Sequence, residues 1–303
     1  MKLQYLKYFV AVYEEGSFSA GALRVNATQS GLSMHVRQLE DRYQVKLFDR
    51  SSVGVTPTEA GRQFYSDAVR VLRAATEAET TLRTLAGDVT GNVRVGLMPT
   101  FTRALLGPAL LKFSEDFPSV KVSVREAYSA ELSKQVSAGE LDFAIVPAFD
   151  SELSLRAEPM GTDREFLVFS KDNAIGDIKQ ADLSKISPLN LVLPSRDNAR
   201  RRKIDEYMRT NGIEPNRLIE LDSMFATLDL VQNSNWASIL PGVLCLPDLT
   251  NSSRRVAPIV SPGLTVDYIR IEPPSVPLSN AGQALFDVIE AELMKALKTI
   301  SAL

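Results

Sequence analysis

Between Thr58 and Gly87 the apolar residues Phe64, Ala68, Val71, Ala75, Ala78, Leu82 and Leu85 recur at 4-3-4-3-4-3 spacing. A stripe three heptads long is the seam along which two helices pair in a coiled coil. Thr58 is placed to cap this helix, and three alanines permit close approach. One buried amphipathic helix would show the same stripe. Here, however, the helix lies between segments of different periodicity, with little else to pack against, so pairing with a second copy is the expectation. Helical spacing precedes it, and alternating strand and helix patterns follow it.

Ahead of the seam, Leu3, Leu6, Phe9, Val10 and Tyr13 predict a helix over residues 3–15. Gly16 ends it, and Ser17 caps a second, short helix through Val25. After a turn at Asn26-Ala27, Thr28 caps a third helix reaching about Tyr43, with Leu32, Val36, Leu39 and Tyr43 as its apolar face. Ser30, Ser33, Met34 and Arg37 fall on the other side, near its start. In a helix-turn-helix, the second helix places such residues at base edges in the major groove. Gln29 can read adenine, and Arg37 can read guanine or hold a phosphate. Ser33 can contact either a base edge or a phosphate, Met34 can touch a thymine methyl, and backbone N–H groups near Thr28 can hold a phosphate. Leu47-Phe48-Asp49-Arg50 and Ser51-Ser52-Val53-Gly54-Val55 read as a hairpin wing with Arg50 near its base. The pattern alone also allows Ser33, Met34 and Arg37 to be no more than a solvated helix face.

Residues 5–61 resemble the DNA-binding domain of LysR-type transcriptional regulators. The resemblance rests on Leu6-Lys7-Tyr8-Phe9-Val10-Ala11-Val12, Gly16-Ser17-Phe18-Ser19, Gln29-Ser30-Gly31-Leu32-Ser33, Gln38-Leu39-Glu40, Leu47-Phe48-Asp49-Arg50 and Thr56-Pro57-Thr58-Glu59-Ala60-Gly61, in that order and spacing. It implies a winged helix-turn-helix over residues 1–58, with Thr28, Gln29, Ser30, Ser33, Met34, Arg37 and Arg50 facing DNA. It also implies a dimerising linker helix and hinge over 59–91. Three departures stand out: Gly21 replaces the usual Ala, Ser30 replaces a common Pro, and Gly31 follows it. A glycine inside a helix costs about 1 kcal/mol.

Beyond the polar hinge Gly87-Asp88-Val89-Thr90-Gly91-Asn92 the period changes. Strands are expected at Val93–Leu97, Val120–Val124, Phe143–Val146, Phe166–Phe169, Leu189–Leu193, Ala237–Leu240 and Val266–Ile271. Helical patterns at 103–117, at 129–138 and from Ser279 onward imply parallel βαβ units. The resemblance assigns 92–303 to an effector domain of two α/β lobes, like a periplasmic binding protein. Lobe I takes 92–161 and 267–303, and lobe II takes 162–266. Gly139-Glu140-Leu141-Asp142-Phe143-Ala144-Ile145-Val146 and Ser238-Ile239-Leu240-Pro241 are its landmarks.

Ligands of open α/β sheets bind beyond the carboxyl ends of strands, where helix N-termini offer free N–H groups. Thr100, Phe101, Thr102, Ser129, Pro147, Phe149, Ser195 and Phe225 fall at such places and match where the family holds its small effector. The hydroxyls would supply polarity and Phe149 and Phe225 apolar walls. Arg200-Arg201-Arg202-Lys203 reads either as a solvated helix face or as the source of one arginine, with Arg202 named for it, that pairs with a carboxylate effector. The sole tryptophan, Trp236, follows Asn233-Ser234-Asn235, where the family often has a Gly-x-Gly turn.

Charge and composition narrow the function. The net charge of −3 divides into +2 over residues 1–57 and −5 beyond, a weak bias toward a polyanion at the front. His35 is the only histidine and lies on the third helix, so a Ser-His-Asp triad in the lobes is excluded. Cys245 is the only cysteine, which fits a reducing cytoplasm and no disulfide framework. No zinc spacing, Walker loop or Gly-x-Gly-x-x-Gly follows any expected strand. A carboxylate- or lysine-based enzyme is left open by spacing alone. The expectation is a cytoplasmic, effector-responsive regulator without a cofactor and without a membrane span. Its partners would be duplex operator DNA, a small organic acid or aromatic metabolite, RNA polymerase and further copies of itself in a dimer or tetramer. An architectural DNA binder, or less readily a solute-binding protein, is the alternative.

Overall fold

The computed structural model describes residues 1–51, 54–85, 89–148, 155–186, 188–196, 198–250, 253–274 and 276–303. Side chains of Arg50, Ser51, Gly54, Glu77, Thr80, Thr81, Arg83, Thr84 and Leu85 are outside the description. The chain divides into two compact units, Met1–Asp88 and Val89–Leu303.

The first unit begins with α1 (Leu3–Glu15), α2 (Phe18–Arg24) and α3 (Gln29–Tyr43). Strands β1 (Phe48–Ser51) and β2 (Gly54–Pro57) pair antiparallel as a hairpin, and α4 (Glu59–Leu85) follows. Each expected cap is in place: Ser17 Oγ accepts from Ala20 N, Thr28 Oγ1 from Gly31 N at 3.2 Å, and Thr58 Oγ1 from Gly61 N at 3.0 Å. Leu6, Phe9, Val12, Phe18, Ala22, Leu32, Val36, Leu39, Leu47 and Phe48 form the buried core. Tyr43, expected on the apolar face, is instead exposed at the end of α3.

Two of the helical glycines have packing reasons. A Cβ on Gly21 would press on the α1 backbone at Ala11 and Val12, so its absence lets α2 approach α1 closely. A Cβ on Gly61 would overlap the Leu47 carbonyl oxygen, so Gly61 lets the start of α4 lie against the chain leading into β1. The propensity penalty read from the sequence at Gly21 is therefore offset by contact.

The second unit opens with β3 (Gly91–Leu97), α5 (Pro99–Ala104), α6 (Leu106–Asp116), β4 (Val120–Glu126), α7 (Ser129–Ser137) and β5 (Phe143–Pro147). The helix expected over 103–117 is thus two helices, broken at Leu105. Next come β6 (Arg156–Ser170), α8 (Leu183–Ile186), β7 (Asn190–Leu193), α9 (Ala199–Thr210), β8 (Arg217–Glu220) and α10 (Met224–Gln232). The unit closes with β9 (Ala237–Pro241), α11 (Gly242–Cys245), β10 (Arg254–Pro258), β11 (Thr265–Glu272) and α12 (Asn280–Ser301).

The strands run in the order β4-β3-β5-β11-β6-β9-β7-β8, with β10 paired to β6. β3 is parallel to β4 and β5, and β7 is parallel to β8 and β9, as the βαβ reading requires. β6, β10 and β11 are antiparallel to their neighbours, a pairing outside the βαβ units read from the sequence. β6 serves both lobes. Its residues 156–164 pair with β11, and 165–169 pair with β9. β6 thus changes partner at Glu165 and β11 begins at Thr265, a few residues from the lobe limits read from the sequence. Successive β6 side chains also serve different cores, because they point to opposite faces. Leu167 and Phe169 pack with Leu191, Leu193, Ile204 and Ile239, whereas Phe166 and Val168 join the cluster of Leu240, Val243 and Ile300. A sheet buried on both faces explains the unbroken apolar runs of β5 and β9.

Candidate functional site

In the first unit, capping by Thr28 starts α3 so that Gln29, Ser30 and Arg37 are exposed and Met34 is 50% exposed. Ser33 is half-buried. These residues form one outer face over the buried Leu32, Val36 and Leu39. The Arg50 side chain, assigned to the wing, lies outside the described residues. His35 is packed between helices: its ring stacks on Tyr5 at 4.9 Å between centroids and meets Tyr8 at 5.6 Å.

Glu40 went unremarked as a functional residue in the sequence, yet it positions the wing. Its buried carboxylate accepts from Leu47 N at 2.8 Å and Phe48 N at 3.3 Å, tying β1 to α3. The signal was present: Glu40 stands four residues after Val36, on the apolar face, where a charge must find buried donors.

The seam of α4 proves to be two things. Ala68 is buried and Phe64 half-buried against the unit's own core, with the Phe64 ring 5.0 Å from Phe9. Tyr65 stacks on Tyr13 at 4.0 Å, and its hydroxyl donates to Glu14 at 2.6 Å. The first heptad therefore also holds α4 to α1. Further along, Val71 is 42% and Leu82 69% exposed, Ala75 half-buried and Ala78 exposed. The Leu85 side chain lies outside the described residues.

In the second unit, Thr100 and Ser129 are buried at the starts of α5 and α7. Thr102 Oγ1 donates to the Glu126 carboxylate at the end of β4. Two residues on, the Tyr128 hydroxyl donates to the backbone carbonyl of Asp222, which belongs to the other lobe. The Asp222 carboxylate in turn accepts from Ser195 N at 2.9 Å. These last two bonds tie Tyr128, which follows β4, to the segments around Asp222 and Ser195. Burial, and then the Asp222 charge, push the Tyr128 phenol above its ordinary value. Tyr128 falls beside Ser129 among the positions read from the sequence, whereas Glu126 and Asp222 do not.

Two site expectations change. Phe101 is fully buried, its ring 4.8 Å from that of Tyr268, so it belongs to the core. Phe225 is 83% exposed and so is not packed as a wall among the described residues. Pro147 is buried at the end of β5, beside Tyr268 of β11; Phe149 lies outside the described residues.

The arginine run also resolves. Arg202 is exposed, whereas Arg200 and Arg201 are buried. Arg201 bonds Asp205 at 2.7 Å, Glu220 at 3.0 Å and the Pro194 carbonyl at 2.7 Å. Arg200 reaches inward to Glu165 at the point where β6 changes partner. Beside them, Asp163 accepts from Val243 N at 2.9 Å and from the Tyr268 hydroxyl at 3.0 Å. Burial raises the Asp163 carboxyl to about 7, against the opposing Val243 N–H and with help from the Glu165 charge. Behind the cleft, Arg103 of α5 pairs with Asp248 at 2.8 Å, and Arg254 with the same carboxylate at 2.7 Å.

A winged helix-turn-helix followed by a long helix and two α/β lobes on shared strands defines a DNA-binding regulator with a ligand-type domain. Residues 3–62 match the model for bacterial regulatory helix-turn-helix proteins of the lysR family, and residues 86–294 match the LysR substrate binding domain. The chain belongs to the LysR family and is a DNA-binding transcriptional regulator with a substrate-binding effector domain. Among curated relatives, the nitrogen assimilation regulatory protein nac of Klebsiella aerogenes is 28% identical over 242 residues, covering 80% of this chain and 78% of its own length. The hydrogen peroxide-inducible genes activator of Haemophilus influenzae is 23% identical over 297 residues, covering 98% of this chain and 99% of its own. In fold, a full-length OxyR from Pseudomonas aeruginosa superposes with a TM-score of 0.74 at 22% identity, over 95% of this chain and 94% of that one. Full-length CbnR complexed with its target DNA gives 0.67 at 23% identity, over 96% and 100%. Among the described residues, no helix is long and apolar enough to cross a membrane.

Proposed function

We propose that this regulator binds a small carboxylate between its two lobes and passes that occupancy to a paired, operator-bound form. Support comes chiefly from the bonds Thr102–Glu126 and Tyr128–Asp222–Ser195, the second of which joins the segments after β4 and β7. Thr100, Thr102, Ser129, Pro147 and Ser195 are the residues assigned to the ligand. The lobes bind and do not transform the ligand.

On the DNA side, Gln29, Ser30, Ser33, Met34 and Arg37 face the operator major groove, with the Thr28 N–H region and Arg50 on phosphates. Val71, Ala75, Ala78 and Leu82 pair two copies, bringing two α3 helices to a palindromic site. An apolar pocket of about 370 Å³ lined by Met1, Leu39, Tyr43 and Phe64, among others, favours a neighbour at the head of that helix. Tetramer formation, contact with RNA polymerase and a cytoplasmic setting complete the proposal.

Thermal denaturation of the full-length protein against a panel of aliphatic and aromatic carboxylates tests the ligand claim. At least one should raise the midpoint, and Thr102→Val should weaken that effect. If no carboxylate shifts the midpoint, the lobes only oligomerise and the protein is an architectural DNA binder.

A further inference from the structure

We infer that lobe II carries a second small-molecule site, for a neutral polyhydroxylated ligand of monosaccharide size. A cavity of about 430 Å³ is lined by Asn173, Asn190, Asn216 and Asn235 over an apolar surface that includes Ile175 and Leu189. Cavities of roughly 300–1,000 Å³ are the usual size for small ligands. Asn190 is the first residue of β7, and Asn235 stands two residues before β9. These parallel strands therefore present their amino ends here, opposite the carboxyl ends from which Pro194 and Ser195 approach the cleft. The two sites lie at different ends of the same sheet.

The lining chemistry selects the ligand class. Among the described residues, no Asp, Glu, Lys or Arg faces the cavity, so a charged ligand would lose its hydration with no countercharge. Carboxamides offer donors and acceptors together, as hydroxyl groups do. Asn216 N donates to the Leu189 carbonyl at 2.8 Å, and its Nδ2 donates to Asn190 Oδ1 at 2.9 Å. That fixes one amide donor at Asn190 and one amide acceptor at Asn216 side by side. Asn173 supplies a second, independent observation. It is buried, its Oδ1 accepts from Ile175 N at 3.1 Å, and its Nδ2 has no partner among the described residues. Buried amide donors are normally satisfied, by water or ligand where protein does not serve. The Ile175 and Leu189 side chains offer an apolar floor for the C–H face of a sugar ring.

The site has a built-in reporter. Trp236, the only tryptophan, adjoins Asn235 in sequence, and the Arg217 guanidinium, adjoining Asn216, lies 5.5 Å from its ring centroid. A ligand bridging Asn216 and Asn235 acts on both members of that cation–π pair. The experiment is a titration of the full-length protein with D-glucose, D-galactose and myo-inositol, reading Trp236 emission. One of the three should give a saturable change, with the midpoint moved about tenfold by Asn216→Ala. Asn216 is exposed, so this variant folds, and its unchanged thermal midpoint checks that; Asn173→Leu should weaken the response as well. Thr102→Val, in the cleft, should leave the response to sugar intact. The site is refuted if none of the three gives saturation, if Asn216→Ala leaves the midpoint where it was, or if Thr102→Val abolishes the signal.

Discussion

Glu165 of β6 and Arg200 of α9 form a buried, two-pronged ion pair, with Nε to Oε1 at 2.9 Å and Nη2 to Oε2 at 2.7 Å. Arg200 also donates to the Ile239 carbonyl at 3.1 Å, so one side chain ties α9 to two strands. Removing one member of such a pair strands a charge in the interior. Glu165→Leu should therefore lower the stability of the lobes by about 3–5 kcal/mol, and Glu165→Leu with Arg200→Met should recover much of it. Urea unfolding followed by Trp236 emission measures both. A loss below about 1 kcal/mol in the single variant would mean that water reaches the guanidinium.

Asp163 makes the lobes sensitive to pH. Its folded value of about 7 lies above the ordinary carboxylate value, so the folded chain holds a proton that the unfolded chain releases between about pH 4 and 7. Stability from this group is fully present below that window, falls as pH rises through it, and levels off above 7. The total is of order 4 kcal/mol. Asp163→Asn should flatten the slope of the thermal midpoint against pH. An unchanged slope would assign it to another group, Glu272 being the other carboxyl among the described residues that burial raises.

On DNA, Arg37→Ala should weaken operator binding by roughly 1–3 kcal/mol if the guanidinium reads a base. Mobility-shift titrations on operator and on random duplex separate the possibilities. Equal losses on both make it a phosphate contact.

The exposed stretch of α4 predicts a different failure. Val71→Glu with Leu82→Glu places like charges along the seam and should abolish cooperative operator binding while leaving each monomer folded. Light scattering reads the mass directly, and a dimer that survives would move the principal interface to the lobes.

Much of this architecture was legible because caps and periods agree. Thr28, Ser17, Thr58 and Ser279 each marked a helix start that the structure keeps. Short strands that carry charged residues were not legible: β8 at the sheet's edge and β10 beside β6 are four and five residues long and carry Arg217, Arg254 and Arg255. The mixed stretch Arg156–Arg164 of β6 hid a fifteen-residue strand because its polar residues alternate irregularly across a β-bulge. The burial of Arg200 and Arg201 could have been read. They stand four and three residues before Ile204, whose face continues through Tyr207 and Met208, but a run of four cations masks that period. Pairings across the cleft, such as Tyr128 with Asp222, depend on residues nearly a hundred apart and leave no local trace.

The sharing of β6 and β11 has a consequence for biosynthesis. Lobe I needs β11 and α12 to complete its sheet and core, whereas most of lobe II is contiguous between them. On the ribosome, the first unit emerges whole and early, and lobe II can close while lobe I still waits for residues 265–301. Until then the apolar flanks of β5 and β6 stand open, so this regulator passes through an aggregation-sensitive interval after its DNA-binding half is already made.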